Sequence, residues 1–149
     1  MTAVTASIEI AVPPQRVWDV IMDPSHFGDW VTIHRKLGRV DDGELRPGFQ
    51  VEQTLCLHRA SFKVKWALAE ADAPHRAVWE GRGPAGSHAR IVDRLTALDG
   101  GETTRFDYLN EYSQPGGFVG RMAGRVLVAG SAEREANRSL ERLKAFLER

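Results

Sequence analysis

The chain has 149 residues, with 20 Lys+Arg balanced by 20 Asp+Glu, so its net charge is zero and its pI is near 7.0. That length makes one domain, residues 1–149, able to bury a core without metal or disulfide, and the neutral balance lacks the basic footprint of a nucleic-acid-binding module. The lone Cys56 excludes an intrachain disulfide and a cysteine-rich zinc site; with no signal peptide or bilayer-spanning run legible, a cytoplasmic protein without integral membrane association is expected.

Ser7 to Val12 alternates, with Ile8, Ile10 and Val12 on one face, and reads as a half-buried strand. Pro13-Pro14 ends it, and Pro14 suits the first turn of a helix whose apolar face is Val17, Trp18, Val20 and Ile21. Asp23-Pro24 stops that helix and caps a second short one, Ser25 to Trp30. From Ile33 to Tyr112 the period is two, punctuated by Gly43, Pro47-Gly48, Pro74, Pro84 to Gly86 and Gly100-Gly101. One parity carries Phe49, Val51, Gln53 and Leu55, the next Phe62, Val64, Trp66 and Leu68, and then Ala77 with Trp79. Ile91, Asp93 and Leu95 follow, and Phe106, Tyr108, Asn110 and Tyr112 line the last strand. This predicts an antiparallel meander.

Pro115-Gly116-Gly117 breaks the pattern, and a helical stripe of Val119, Met122, Val126, Ala129, Ala136, Leu140, Leu143 and Leu147 runs to the end, opposed by Arg134, Arg138 and Arg142. Such a helix is about 50 Å long and is the only large element that can cover the sheet. The expected class is α+β, a curved antiparallel sheet of six to seven strands around a long C-terminal helix, with two short helices after the first strand. A curved sheet against one helix leaves a cavity suited to a hydrophobic small molecule. Its expected lining is Phe27, Trp30, Gln53, Val64, Trp66, Trp79, Ile91, Asn110, Tyr112, Phe118, Met122 and Val126. Buried polar groups on that face need partners, and Asp93 and Tyr108 are the candidates for moving a proton. Gly116, Gly117, Gly120, Gly124 and Gly130, with the loop at Pro84 to Ser87, are the expected gate. The arginine stripe, and Glu133 although it falls on the apolar stripe, are read as solvated, and Cys56 as a small buried or edge filler.

No His-Glu-x-x-His spacing or close ligand cluster occurs, so no metal or cofactor is implied. Gly81-Arg82-Gly83-Pro84-Ala85-Gly86 has dinucleotide-fingerprint spacing, but Pro84 interrupts it and no helix follows. No nucleophile elbow is present.

The segment Ile8 to Ile21, Asp23-Pro24 followed by Phe27 and Trp30, Gly43 to Gly48, Leu95 to Gly101 followed by Thr103-Thr104, and the closing Asn137 to Leu147 helix together cover nearly the whole chain. They resemble the START-related SRPBCC superfamily, and most closely its polyketide cyclase/dehydrase and lipid-transport branch. The resemblance implies the helix-grip fold and a cavity for hydrophobic or aromatic molecules. No family catalytic residue maps onto this chain. Three functions follow: binding a hydrophobic, ring-containing molecule or lipid, cyclase/dehydratase-type catalysis in the same cavity, or an accessory protein-interaction role. The sequence carries no signal of oligomeric state.

Overall fold

The first strand, β1 (Thr2–Ile10), begins ahead of the expected Ser7. Val4 and Ala6 continue the inward parity of Ile8 and Ile10, but small neighbours blur the alternation. The computed structural model describes residues 2–113 and 121–149, with side chains of the last segment from Gly130 onward. The expectations for Phe118, for the Met122 and Val126 side chains, and for the gating glycines Gly116, Gly117, Gly120 and Gly124 lie outside the described residues.

β1 stops at Ile10 rather than Val12, because the Val12 amide turns back to the Ile10 carbonyl at 2.8 Å. The buried Thr104 hydroxyl then donates to the Val12 carbonyl at 2.8 Å. Helix α1 (Pro14–Ile21) starts with proline in its first turn and buries Val17, Trp18, Val20 and Ile21. Asp23 caps the 3-10 turn Pro24–His26 by accepting from the Ser25 amide at 2.9 Å, and the short helix α2 (Phe27–Trp30) follows.

Six further strands form the meander: β2 (His34–Val40), β3 (Gln50–Leu57), β4 (Ala60–Asp72), β5 (Arg76–Arg82), β6 (His88–Leu98) and β7 (Thr103–Ser113). The sheet order is β1-β7-β6-β5-β4-β3-β2, antiparallel throughout. β1 closes the edge by pairing with β7 from Thr2↔Tyr112 to Ile10↔Thr104. The β3–β4 hairpin turns on His58 and Arg59, whose φ of 52° and 63° are the left-handed values that match the twist of the flanking strands.

Helix α3 (Arg121–Leu147) lies along the sheet, against β1 and α2. Its last turns are tied down: Lys144 Nζ donates to the Glu9 carbonyl at 2.7 Å, and the Ala11 amide donates to Glu148 Oε2 at 2.8 Å. Leu140, Leu143 and Leu147 are buried in one core with Ile10, Val17, Leu68 and Phe106. One and two turns before Leu140 the inward positions are Ala136 and Ala132. Where leucine gives way to alanine, the helix no longer fills the concave face of the sheet, and the core opens into a cavity. Among the described residues, no helix is long and apolar enough to cross a membrane.

Candidate functional site

The cavity has a volume of about 150 Å³ and lies between the concave sheet face and the Ala132–Leu140 stretch of α3. Val51, Leu55, Trp66, Trp79 and Ile91 form its apolar floor, and Ile21, Phe27, Trp30 and Val31 its end wall. An apolar cavity of about that size holds one benzene-like ring.

Strand parity sets the polar groups. Asp93 and Tyr108 face each other across β6 and β7, and Asn110 lies one inward step along, opposite Ile91. All three line the cavity. Burial raises the Asp93 carboxyl to about 7, because the charged form has lost its water. The Tyr108 hydroxyl is pushed well above its ordinary value, first by burial and then by the Asp93 charge, against an opposing hydrogen bond from the Asn110 side chain. Tyr108 therefore stays a protonated donor near neutral pH, while Asp93 can exist with or without its proton. Among the described residues, Trp30 Nε1, Asp93 Oδ1 and Asn110 Oδ1 are buried with no hydrogen-bond partner. One donor and two acceptors are thus left unpaired on residues that line one cavity.

A second network fixes the floor. Trp66 Nε1 donates to Gln53 Oε1 at 3.0 Å, and Gln53 Nε2 lies 3.0 Å from His34 Nδ1. An indole N–H can only donate, so the Gln53 carbonyl must face it and its amide must donate to His34. His34 Nδ1 is therefore an acceptor and its proton sits on Nε2, with the ring held edge-on by Phe27 at 5.8 Å. Burial lowers the His34 pKa below 6.5, favouring this neutral form. The stability it supplies is complete above pH 6.5 and is lost as pH falls below it, since the unfolded chain takes up the proton first. Urea unfolding is expected to show wild type losing stability relative to His34→Asn below that pH; a difference independent of pH would refute the buried neutral His34.

The rim is closed by a polar clasp. The Thr32 amide donates to Ser139 Oγ at 3.0 Å, the Thr32 hydroxyl donates to the Glu135 carboxylate, and Arg138 Nη1 holds the other Glu135 oxygen at 2.8 Å.

Of the residues proposed from sequence, the fold brings Phe27, Trp30, Gln53, Trp66, Trp79, Ile91, Asp93, Tyr108 and Asn110 to one cavity. Val64 and Tyr112 share its strand parity but are not on its wall. Val64 is buried beside Gly81, opposite Gln53, and Tyr112 sits at the far end of β7 opposite Thr2. Burial raises the Tyr112 hydroxyl, which is itself unpartnered. Pro84–Gly86 is a turn closed by Ser87 Oγ on the Pro84 carbonyl at 2.7 Å, and none of its residues lines the cavity. Glu133 is exposed, and Cys56 is half-exposed. Sequence reasoning missed Glu135, Ser139 and the two alanines; the small residues on the apolar stripe were the available signal.

The family model described as polyketide cyclase / dehydrase and lipid transport matches residues 1–148. The Mycobacterium tuberculosis protein named Toxin Rv0910 is 22% identical over 107 residues, 72% of this chain and 74% of its own length. Among solved structures, the Zhui aromatase/cyclase of a Streptomyces species superposes with a TM-score of 0.83 at 16% identity, covering 99% of this chain and 94% of that one. The protein TTHA0849 from Thermus thermophilus gives 0.81 at 17% identity, covering 99% and 97%. At these identities the structural likeness is one of fold.

Proposed function

The chain belongs to the polyketide cyclase/dehydrase and lipid-transport family, and on that premise we propose that its cavity binds a single-ring hydrophobic molecule, or one ring of a larger one, bearing a carbonyl or hydroxyl group. The observation that carries this reading is the conjunction of a cavity of about 150 Å³ with three unpartnered buried polar atoms on residues that line it. The apolar walls supply affinity at roughly 25 cal/mol per Å² buried, and Trp30, Asp93, Tyr108 and Asn110 set orientation.

The test is a matched pair of probes followed by tryptophan fluorescence, since Trp30, Trp66 and Trp79 all line the cavity. Para-hydroxyacetophenone is expected to bind at least tenfold more tightly than para-cymene, which has the same outline without oxygen. Trp66→Ala and Tyr108→Ala are expected to weaken that binding in folded protein. Equal affinity for the two probes, or unchanged affinity in both variants, would overturn the reading.

Catalysis in the same cavity is a second reading, favoured by the Asp93 carboxyl at about 7. The Tyr108 hydroxyl would hold a substrate carbonyl oxygen while the Asp93 carboxylate takes the adjacent carbon-bound proton, the step that opens cyclisation or dehydration. Asp93→Asn and Tyr108→Phe should then each lower turnover of a true substrate, and turnover unchanged in both would end this reading.

A further inference from the structure

Beside the apolar cavity lies a second depression of different character. It has a volume of about 390 Å³ and is bordered by the exposed Arg134, Arg138 and Arg142 of α3 together with Thr32 and with His58, whose Nε2 lies 2.7 Å from Ser131 Oγ of the same helix. The arginines recur every four residues, so three guanidinium groups line one side over about 12 Å. The chain as a whole is neutral, so this positive charge is local. Arg138 has a carboxylate partner in Glu135. Arg134 donates to the Ser131 hydroxyl at 3.1 Å, and Arg142 to the Gly28 carbonyl at 3.2 Å. Among the described residues, neither of those two meets an acidic group.

The cleft and the cavity share a wall, because Ile33 and Glu135 line both. The two spaces therefore adjoin at these two side chains. We propose that the arginine cleft binds an oxyanion, carboxylate or phosphate, on the arm of the ligand whose ring fills the cavity. The planar guanidinium fork matches both groups. The proposal rests on the ring-binding reading of the cavity and names the second half of the ligand. Arg138 is held by Glu135 Oε1, and the arm's oxyanion replaces that carboxylate oxygen on the guanidinium. Cys56 lies in the cleft wall, 3.6 Å from Arg35 Nη2, and it is Arg35 rather than the helix arginines that draws its thiol below the ordinary range.

Three probes share one ring: para-hydroxyphenylbutyrate, its uncharged amide, and para-hydroxyphenylpropyl phosphate. At low salt the wild-type protein is expected to bind one or both anions at least tenfold more tightly than the amide, with the gap closing at high salt. Whichever anion shows the larger gap identifies the arm. The double variant Arg134→Gln/Arg142→Gln should abolish the gap while leaving amide affinity intact, and Glu135→Gln should widen it. Anions no tighter than the amide, or a gap that survives in the double variant, would overturn the proposal. If the amide itself fails to bind, the ring reading has failed, and the cleft is judged separately on Cys56, the only cysteine. Inorganic phosphate should then slow its alkylation by iodoacetamide in a saturable way in wild type but not in the double variant, and an unaffected rate refutes the cleft on its own.

Discussion

Asp93→Asn is expected to abolish a fall in stability that wild type shows between about pH 4 and pH 7. The folded carboxyl keeps its proton up to about 7, whereas the unfolded one releases it near 3.8. Between those values the folded state binds more protons, so raising the pH favours unfolding. About three units, at about 1.4 kcal/mol each, make a difference on the order of 4 kcal/mol once Asp93 is ionised. The asparagine variant should therefore gain on wild type as pH rises, less about 1–3 kcal/mol for an amide with no buried partner. Urea unfolding at about pH 4 and about pH 8 reads the effect directly. The same variant should bind para-hydroxyacetophenone more weakly. More stable and less able is the signature of a group held in place for function. A stability difference that does not change with pH would show that Asp93 is not the desolvated acid described above.

Gly81→Ala is expected to destabilise the protein by about 3 kcal/mol and to remove ring binding. Gly81 lies opposite Trp66 in the β4–β5 register. A Cβ there would stand 2.5 Å from Trp66 Cζ3, 2.6 Å from Cε3 and 2.9 Å from Val64 Cγ1. The paired strands hold the backbone, so the indole has to leave. Its exit breaks the bond from Nε1 to Gln53, undoes the proton arrangement on His34, and moves aromatic bulk against the cavity. Shortening the side chain should relieve the clash, so Gly81→Ala/Trp66→Leu is expected to be more stable than the sum of its single variants implies. An alanine variant within about 0.5 kcal/mol of wild type, with its ring affinity intact, would mean that the Trp66 position is not enforced by the glycine.

These two residues differ in how readable they were. Asp93 stands out in the sequence because a charged residue falls on the apolar parity of its strand, and period two is enough to bring it together with Tyr108, Asn110 and Gln53. Gly81 gave a weaker signal, a glycine inside a strand, which marks close approach without naming what approaches. Parity also overreached. Val64 and Tyr112 have the same phase as their neighbours, but Val64 packs beside Gly81 and Tyr112 lies at the strand end opposite Thr2, so facing inward is not the same as lining the cavity. The cavity itself depends on a taper in α3 from Leu140 to Ala136 and Ala132, which as a hydrophobic stripe reads as continuous packing. Least legible was the clasp of Thr32, Glu135, Ser139 and Arg138, which joins a loop to a helix more than a hundred residues away. The arginine stripe was read as a solvated face, and Arg134, Arg138 and Arg142 are indeed exposed; what helical period did not reveal is that Thr32 and His58 border the same surface depression.

The central claim is that an oxygenated ring occupies the cavity and satisfies its unpaired polar atoms. The most direct measurement follows the four indole N–H resonances of nitrogen-15-labelled protein during titration with para-hydroxyacetophenone. Trp30 carries the buried N–H without a partner and should move most, while Trp66 and Trp79 shift with the same saturation curve. Trp18 is buried in the core away from the cavity wall and should stay in place. Saturable movement of Trp30, Trp66 and Trp79 alone is the predicted result. No saturable shift, or movement of Trp18 with Trp30 unmoved, would contradict the account.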